Sequence, residues 1–118
     1  MRDDRENLIV SKTISFSVDL IHYCERLEAD KKFVVARQLL RAGTSIGANV
    51  FEAQNAESKA DFIHKMKIAA KEASECKYWT ILCERSPSYF FDEPLKHALD
   101  EIIRILSKII STSKQVVT

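Results

Sequence analysis

The chain has 118 residues, 46% of them apolar and 30% charged, with 18 lysines and arginines against 17 aspartates and glutamates. This length specifies one domain that can bury a core without disulfide staples, and this composition excludes a disordered chain. The formal net charge of +1 excludes a nucleic-acid footprint written in total charge, so any such footprint must come from how the charges are distributed.

Two glycines and two prolines leave few turn formers and favour long helices over a sheet. No apolar run reaches the 18 or so residues that a membrane span needs. The opening MRDDRENLIVSK carries acids and no long apolar stretch, so it is not expected to be a signal peptide. Cys24, Cys76 and Cys83 are odd in number and contain no C-x-x-C pair, which suits free thiols in a reducing cytoplasm. Cys76 and Cys83 lie about 10 Å apart along one helix face, too far for a disulfide.

Four amphipathic segments are expected within a single domain spanning residues 1–118. The first runs from about 11 to 28. Phe16, Leu20, Tyr23 and Leu27 form one stripe, and Ile14, Val18 and Ile21 form a second beside it, together a broad apolar arc. The LIV at residues 8–10 could extend this helix. EADKK, residues 28–32, is a polar connector.

The second segment runs from about 32 to 55. Ala36, Leu39, Leu40, Gly43, Ile46, Gly47, Val50 and Ala53 fill one side, while Gln38, Arg41, Ser45 and Glu52 lie opposite and Asn49 sits at the border. Both glycines of the chain therefore fall within a helix, where each costs about 1 kcal/mol relative to alanine. Small residues four apart let a neighbouring helix approach closely. Helix three, with Ala69, Ala70 and Ala73, is the expected neighbour.

The third segment, about 59–85, opens on Ser58 as N-cap with Asp61 three residues on, an analogue of a capping box. Phe62, Met66, Ala69, Ala73, Cys76, Thr80 and Cys83 then alternate by four and three as a heptad seam. Pro87 ends the helix. The fourth, about 93–112, has Asp92 as N-cap and Pro94 in the first turn. Leu95, Leu99, Ile102, Leu106 and Ile109 form its seam, flanked by Ile103 and Ile110, and STSKQVVT is expected to fray. Four helices with short connectors imply an all-α, antiparallel up-down-up-down four-helix bundle.

Candidate chemistry is sparse. Glu72, Glu75 and Trp79 share a stripe of helix three with Ile68 and Leu82. A two-metal carboxylate bundle needs Glu-x-x-His pairs, and the chain has none. His22 and His97 stand alone, and Asp61 with His64 lies turns away from Glu72. Glu72 and Glu75 are expected to pair with Arg or Lys, or to bond backbone at a subunit border. Neither a metal nor another cofactor is expected. Ser45, Asn49 and Glu52 form a polar line without a histidine at helical spacing, so a catalytic nucleophile is not expected and register-fixing is the better reading. Arg37 with Arg41, and Lys67 with Lys71, are i,i+4 cation pairs, each projecting to one face. They are solvated faces or contacts to phosphate. SYFF, residues 88–91, either caps the core or sticks to a partner.

The stretches GTSIGANVFEA (43–53), SKADFIHKMKIAAKEASE (58–75) and YW (78–79) together resemble the 23S rRNA intervening-sequence protein family. That family is related to the accessory protein of diversity-generating retroelements. The resemblance implies a cytoplasmic bacterial protein and an antiparallel four-helix bundle assembled as a ring-like homopentamer; it does not imply an enzyme, and with no plausible catalytic set a non-catalytic protein is expected. The retroelement members are basic rings that bind nucleic acid and a reverse transcriptase. The expected function is thus a homo-oligomeric interaction protein contacting RNA through Arg37, Arg41, Lys67 and Lys71. The alternative is an assembly module docking a reverse-transcriptase-like partner without touching nucleic acid.

Overall fold

A computed structural model describes residues 4–117, with side chains described for residues 8–114. It contains four helices, α1 (Asp4–Ala29), α2 (Phe33–Ala53), α3 (Lys59–Arg85) and α4 (Glu93–Val117), and no strand among the described residues. Each helix packs on two others: α1 on α2 and α4, and α3 on α2 and α4. A shared apolar core fills the space between them.

The seams read from the sequence line that core. Phe16, Leu20, Tyr23 and Leu27 of α1, Met66, Ala69, Ala73, Cys76 and Cys83 of α3, and Leu95, Leu99, Ile102, Leu106 and Ile109 of α4 are all buried. Local chemistry starts the last two helices where expected. The Ser58 hydroxyl accepts from the Asp61 amide at 3.0 Å, and Asp92 Oδ1 accepts from the Leu95 amide at 3.0 Å. The reciprocal half of the box reaches one residue further back, to the Glu57 amide at 3.2 Å from Asp61 Oδ2. Ser86, in an extended conformation before Pro87, closes α3.

Two helices are longer than the sequence pattern suggests. Helix α1 begins at Asp4 rather than near residue 11 because Ile9 and Thr13 carry its buried stripe upstream, both at most 1% exposed. Thr13 conceals that stripe by its type. Its hydroxyl donates to the Ile9 carbonyl at 2.8 Å, which lets a polar residue occupy a core position without an unpaired group. Helix α4 continues through Val117 instead of fraying after residue 112, because Ser113, 7% exposed, extends its seam by one more step.

The connector between α1 and α2 is a Schellman closure. The Lys32 amide donates to the Leu27 carbonyl at 2.8 Å and the Lys31 amide to the Glu28 carbonyl at 2.9 Å. Lys31 sits in the left-handed region with φ of 65°, where glycine is the usual occupant.

The two glycines meet a different neighbour from the one expected. A Cβ on Gly43 would overlap the Cδ2 methyl of Leu20 on α1, with Cys76 Sγ on α3 next at 3.4 Å. A Cβ on Gly47 would lie 3.3 Å from Thr13 Cβ and 3.5 Å from Ser17 Oγ, both on α1. The close approach is thus to side chains of α1, not to the alanines of α3. The cause is volume: Leu20 is fully buried, and its branched end needs the space a side chain at position 43 would fill.

Candidate interaction surfaces

The α2–α3 flank is a charge network. Arg41 Nη1 donates to Glu72 Oε2 at 3.2 Å, its Nη2 donates to Glu75, and Trp79 Nε1 donates to the same Glu75 carboxylate at 3.0 Å. Arg41, and then the indole, hold the Glu75 carboxyl below the usual range, and Glu75 in turn raises the Arg41 guanidinium. Glu72, Glu75 and Trp79 are thereby brought together, and Arg41 spends its donors on them. Along the same flank Glu52 pairs with Lys65 at 3.6 Å. Ser45 and Asn49 act within α2, where Asn49 Nδ2 donates to the Ser45 carbonyl at 2.9 Å and to its hydroxyl at 3.2 Å. Among the described residues no group of three or more His, Cys, Asp or Glu side chains is gathered as a metal site.

The α1–α2 flank is apolar. Ile14, Val18 and Ile21 are 52%, 49% and 41% exposed, and Phe51 of α2 is 60% exposed. The sequence pattern places the three α1 residues in one broad apolar arc with Phe16 and Leu20. The structure separates them, because α1 has neighbours only on its α2 and α4 sides and the second stripe faces outward. Between the helices runs a groove of about 410 Å³, lined by Ile14, Val18, Ile21, Ala48 and Phe51, with Gly47 and Thr13 in its wall.

One end of the molecule is closed by the SYFF loop. The Tyr23 hydroxyl donates to the Phe90 carbonyl at 2.6 Å, and the Arg26 guanidinium lies 4.3 Å over the Phe90 ring. Lys32 Nζ stands 5.1 Å over the Tyr89 ring. Tyr89 and Phe91 pack on the core, while Phe90 stays 44% exposed. The same segment therefore caps the core and leaves one aromatic outside. Behind it the three cysteines are free and buried. Burial pushes the Cys24 and Cys76 thiols up to about 12 and raises Cys83 as well.

The cations divide into two groups. Lys12, Arg26, Arg41, Lys65, Lys77 and Lys96 each meet a carboxylate within ion-pair distance. Arg37, Lys67 and Lys71 are exposed and have no acidic partner among the described residues. Sequence reasoning had no way to separate Arg41 from Arg37, since the acids that occupy Arg41 lie on another helix. It also passed over Arg104, Lys108 and Lys114 of α4, which share the exposed, unpartnered state of Lys67 and Lys71.

The described residues form four helices around a common core, with one charged and one apolar flank. The 23S rRNA-intervening sequence protein profile matches residues 5–111, and the chain belongs to that family. A solved structure similar to it is that of a protein of unknown function from the S23 ribosomal protein family of Bacteroides thetaiotaomicron. The two chains are 39% identical, with a TM-score of 0.85 over 91% of this chain and 98% of the other. No curated protein shows significant similarity. No helix among the described residues is long and apolar enough to cross a membrane.

Proposed function

We propose that the chain is a non-catalytic, cytoplasmic, homo-oligomeric interaction protein built as an antiparallel up-down-up-down bundle, with RNA as its ligand. The order of contacts supports the topology. Leu20 meets Gly43 while Thr13 meets Gly47, and Lys77 meets Asp100 while Glu84 meets Lys96, so numbering falls in one helix as it rises in its neighbour. The exposed strip of Ile14, Val18, Ile21 and Phe51 carries the oligomeric reading. Four large apolar side chains around one groove make a patch that soluble monomers seldom leave uncovered. A second copy satisfies it most simply, with Phe51 of one protomer as the knob and the gap above the next protomer's Gly47 as the hole. Resemblance suggests five copies in a ring.

Light scattering tests this reading directly. The wild-type protein should elute as an oligomer and Val18→Asp as a monomer with unchanged helical circular dichroism. A wild-type monomer at tens of micromolar would refute it. For RNA, exposed Arg37, Lys67 and Lys71, repeated around a ring, would contact phosphates, and binding must then weaken steeply with salt. The exposure of Phe90 favours a second reading, in which the SYFF end docks a reverse-transcriptase-like protein. Phe90→Ser would abolish capture of such a partner and leave RNA affinity unchanged.

A further inference from the structure

We propose that the outer surface of α3 and α4, carrying Lys67, Lys71, Arg104, Lys108 and Lys114, is where the phosphodiester backbone of RNA binds. This assignment rests on the RNA reading above and places it on one flank. All five side chains are exposed, and none has an acidic partner among the described residues. The acids nearest this flank are already engaged: Asp100 with Lys77 at 2.9 Å, Glu101 with Lys12 at 2.8 Å, and Glu75 with Arg41.

The register of α3 on α4 brings the five together. Glu84 meets Lys96 and Lys77 meets Asp100, so moving up α3 means moving down α4, and Lys67 arrives beside Lys114. Lys71 is one turn along and comes level with the stretch between Lys108 and Ser111. Arg104 to Lys114 spans ten residues, about 15 Å of helix. That length matches about five phosphates of a strand at roughly 3.4 Å per charge. Ser74, Ser107 and Ser111, all exposed, stand between the cations and can donate to phosphate oxygens. The mutual repulsion of Lys67 and Lys114 lowers the Lys67 ammonium pKa, and an anion seated between them would reverse that shift. The near-neutral total hides this flank because its excess is balanced by unpaired acids elsewhere, among them Asp19 and Glu28 of α1.

The test is a filter-binding titration of a 20-nucleotide single-stranded RNA from 50 to 200 mM salt. Engaging all five cations gives a slope near −3.5 and about a 100-fold loss of affinity over that range. Lys71→Ala/Lys108→Ala should reduce the slope by about 1.4. The charge-matched Lys31→Asn/Arg85→Ala, which removes cations off this flank, should leave the slope unchanged. If both double variants lose slope equally, the surface is misassigned while the RNA reading survives. If the wild-type protein binds no RNA, or binds only phosphatidylserine vesicles, both are overturned.

Discussion

Adding one methyl at Gly43 should destabilise the protein, and removing Leu20 should turn that loss into a gain. In the native structure a Cβ at position 43 runs into the end of the Leu20 side chain, which is fully buried and must shift within the packed core. Overpacking of this kind costs about 1–3 kcal/mol, against about 1 kcal/mol gained from alanine's helix propensity. The net for Gly43→Ala is a loss of about 1 kcal/mol, or roughly 4 °C in Tm for a domain of this size. Leu20→Ala alone should cost about 2–5 kcal/mol through its cavity. In that background Gly43→Ala meets no methyl. It keeps the propensity gain and fills part of the void, a stabilisation of about 1.5 kcal/mol. The coupling between the sites is therefore about 2.5 kcal/mol. Gly47→Ala is the internal control. Its nearest contact is 3.3 Å from Thr13 Cβ, so a shift of tenths of an ångström suffices and the variant should be stabilised by about 0.5 kcal/mol. Urea unfolding followed by circular dichroism, at fixed protomer concentration, measures all of these. If Gly43→Ala stabilises both backgrounds alike, the glycine is not there for Leu20 and the packing argument fails.

The remaining predictions concern other joints. Lys31→Gly should raise stability by about 1 kcal/mol in thermal melts, because it relieves a left-handed lysine in the closure after α1. Asp92→Ala should cost about 1 kcal/mol, read as the loss of the α4 cap in the same melts. The thiols set an alkaline limit. Cys24 and Cys76 stay neutral in the fold until about 12, whereas in the unfolded chain they ionise near their ordinary value. Their contribution is thus complete below about pH 8.5 and is lost progressively up to pH 12, so Tm should fall over that window and fall less in Cys24→Ala. The acid limb has the opposite sign. Arg41 depresses the Glu75 pKa, so stability present above the ordinary carboxylate range is lost as pH falls through the lowered value. Arg41→Met should flatten that limb, and Trp79 fluorescence should report the protonation.

The fold was legible wherever a helix had a single polarity pattern. The four-three seams of α3 and α4 name their own buried residues, and Ser58 and Asp92 announce their helix starts through the bonds they make. Legibility failed where a residue type contradicts its position. Thr13 is a polar, β-branched type of low helix propensity, yet it lies in the core because its hydroxyl is satisfied by its own helix. Ile14, Val18 and Ile21 read as part of one broad apolar arc with the Phe16 stripe and lie outside the core, because a helical wheel shows which residues share a face but not how many faces are covered. The spacing of the glycines points to close approach by a neighbour but not to which helix supplies it: a Cβ at either position would meet side chains of α1 first. Periodicity carries no information about which neighbouring helix holds the bulkier side chain.

The surfaces were harder to read for a related reason. An i,i+4 pair of cations is visible within one helix, whereas the acid that neutralises it belongs to a neighbour whose register is set by the core. Arg37 and Arg41 are equivalent on paper, yet Glu72 and Glu75 reach only Arg41. The same rule works in reverse on α4. Arg104, Lys108 and Lys114 look like ordinary solvated charges until the register of α3 brings Lys67 against Lys114 and gives Asp100 to Lys77, while α1 gives Glu101 to Lys12. Packing therefore decides two things at once. The apolar seams choose the register, and the register decides which charges of a nearly neutral set are paired and which, like those of the α3–α4 flank, are left without a partner of opposite sign. A substitution that slips α4 against α3 by one turn should redistribute the charge surface without altering a single charged residue.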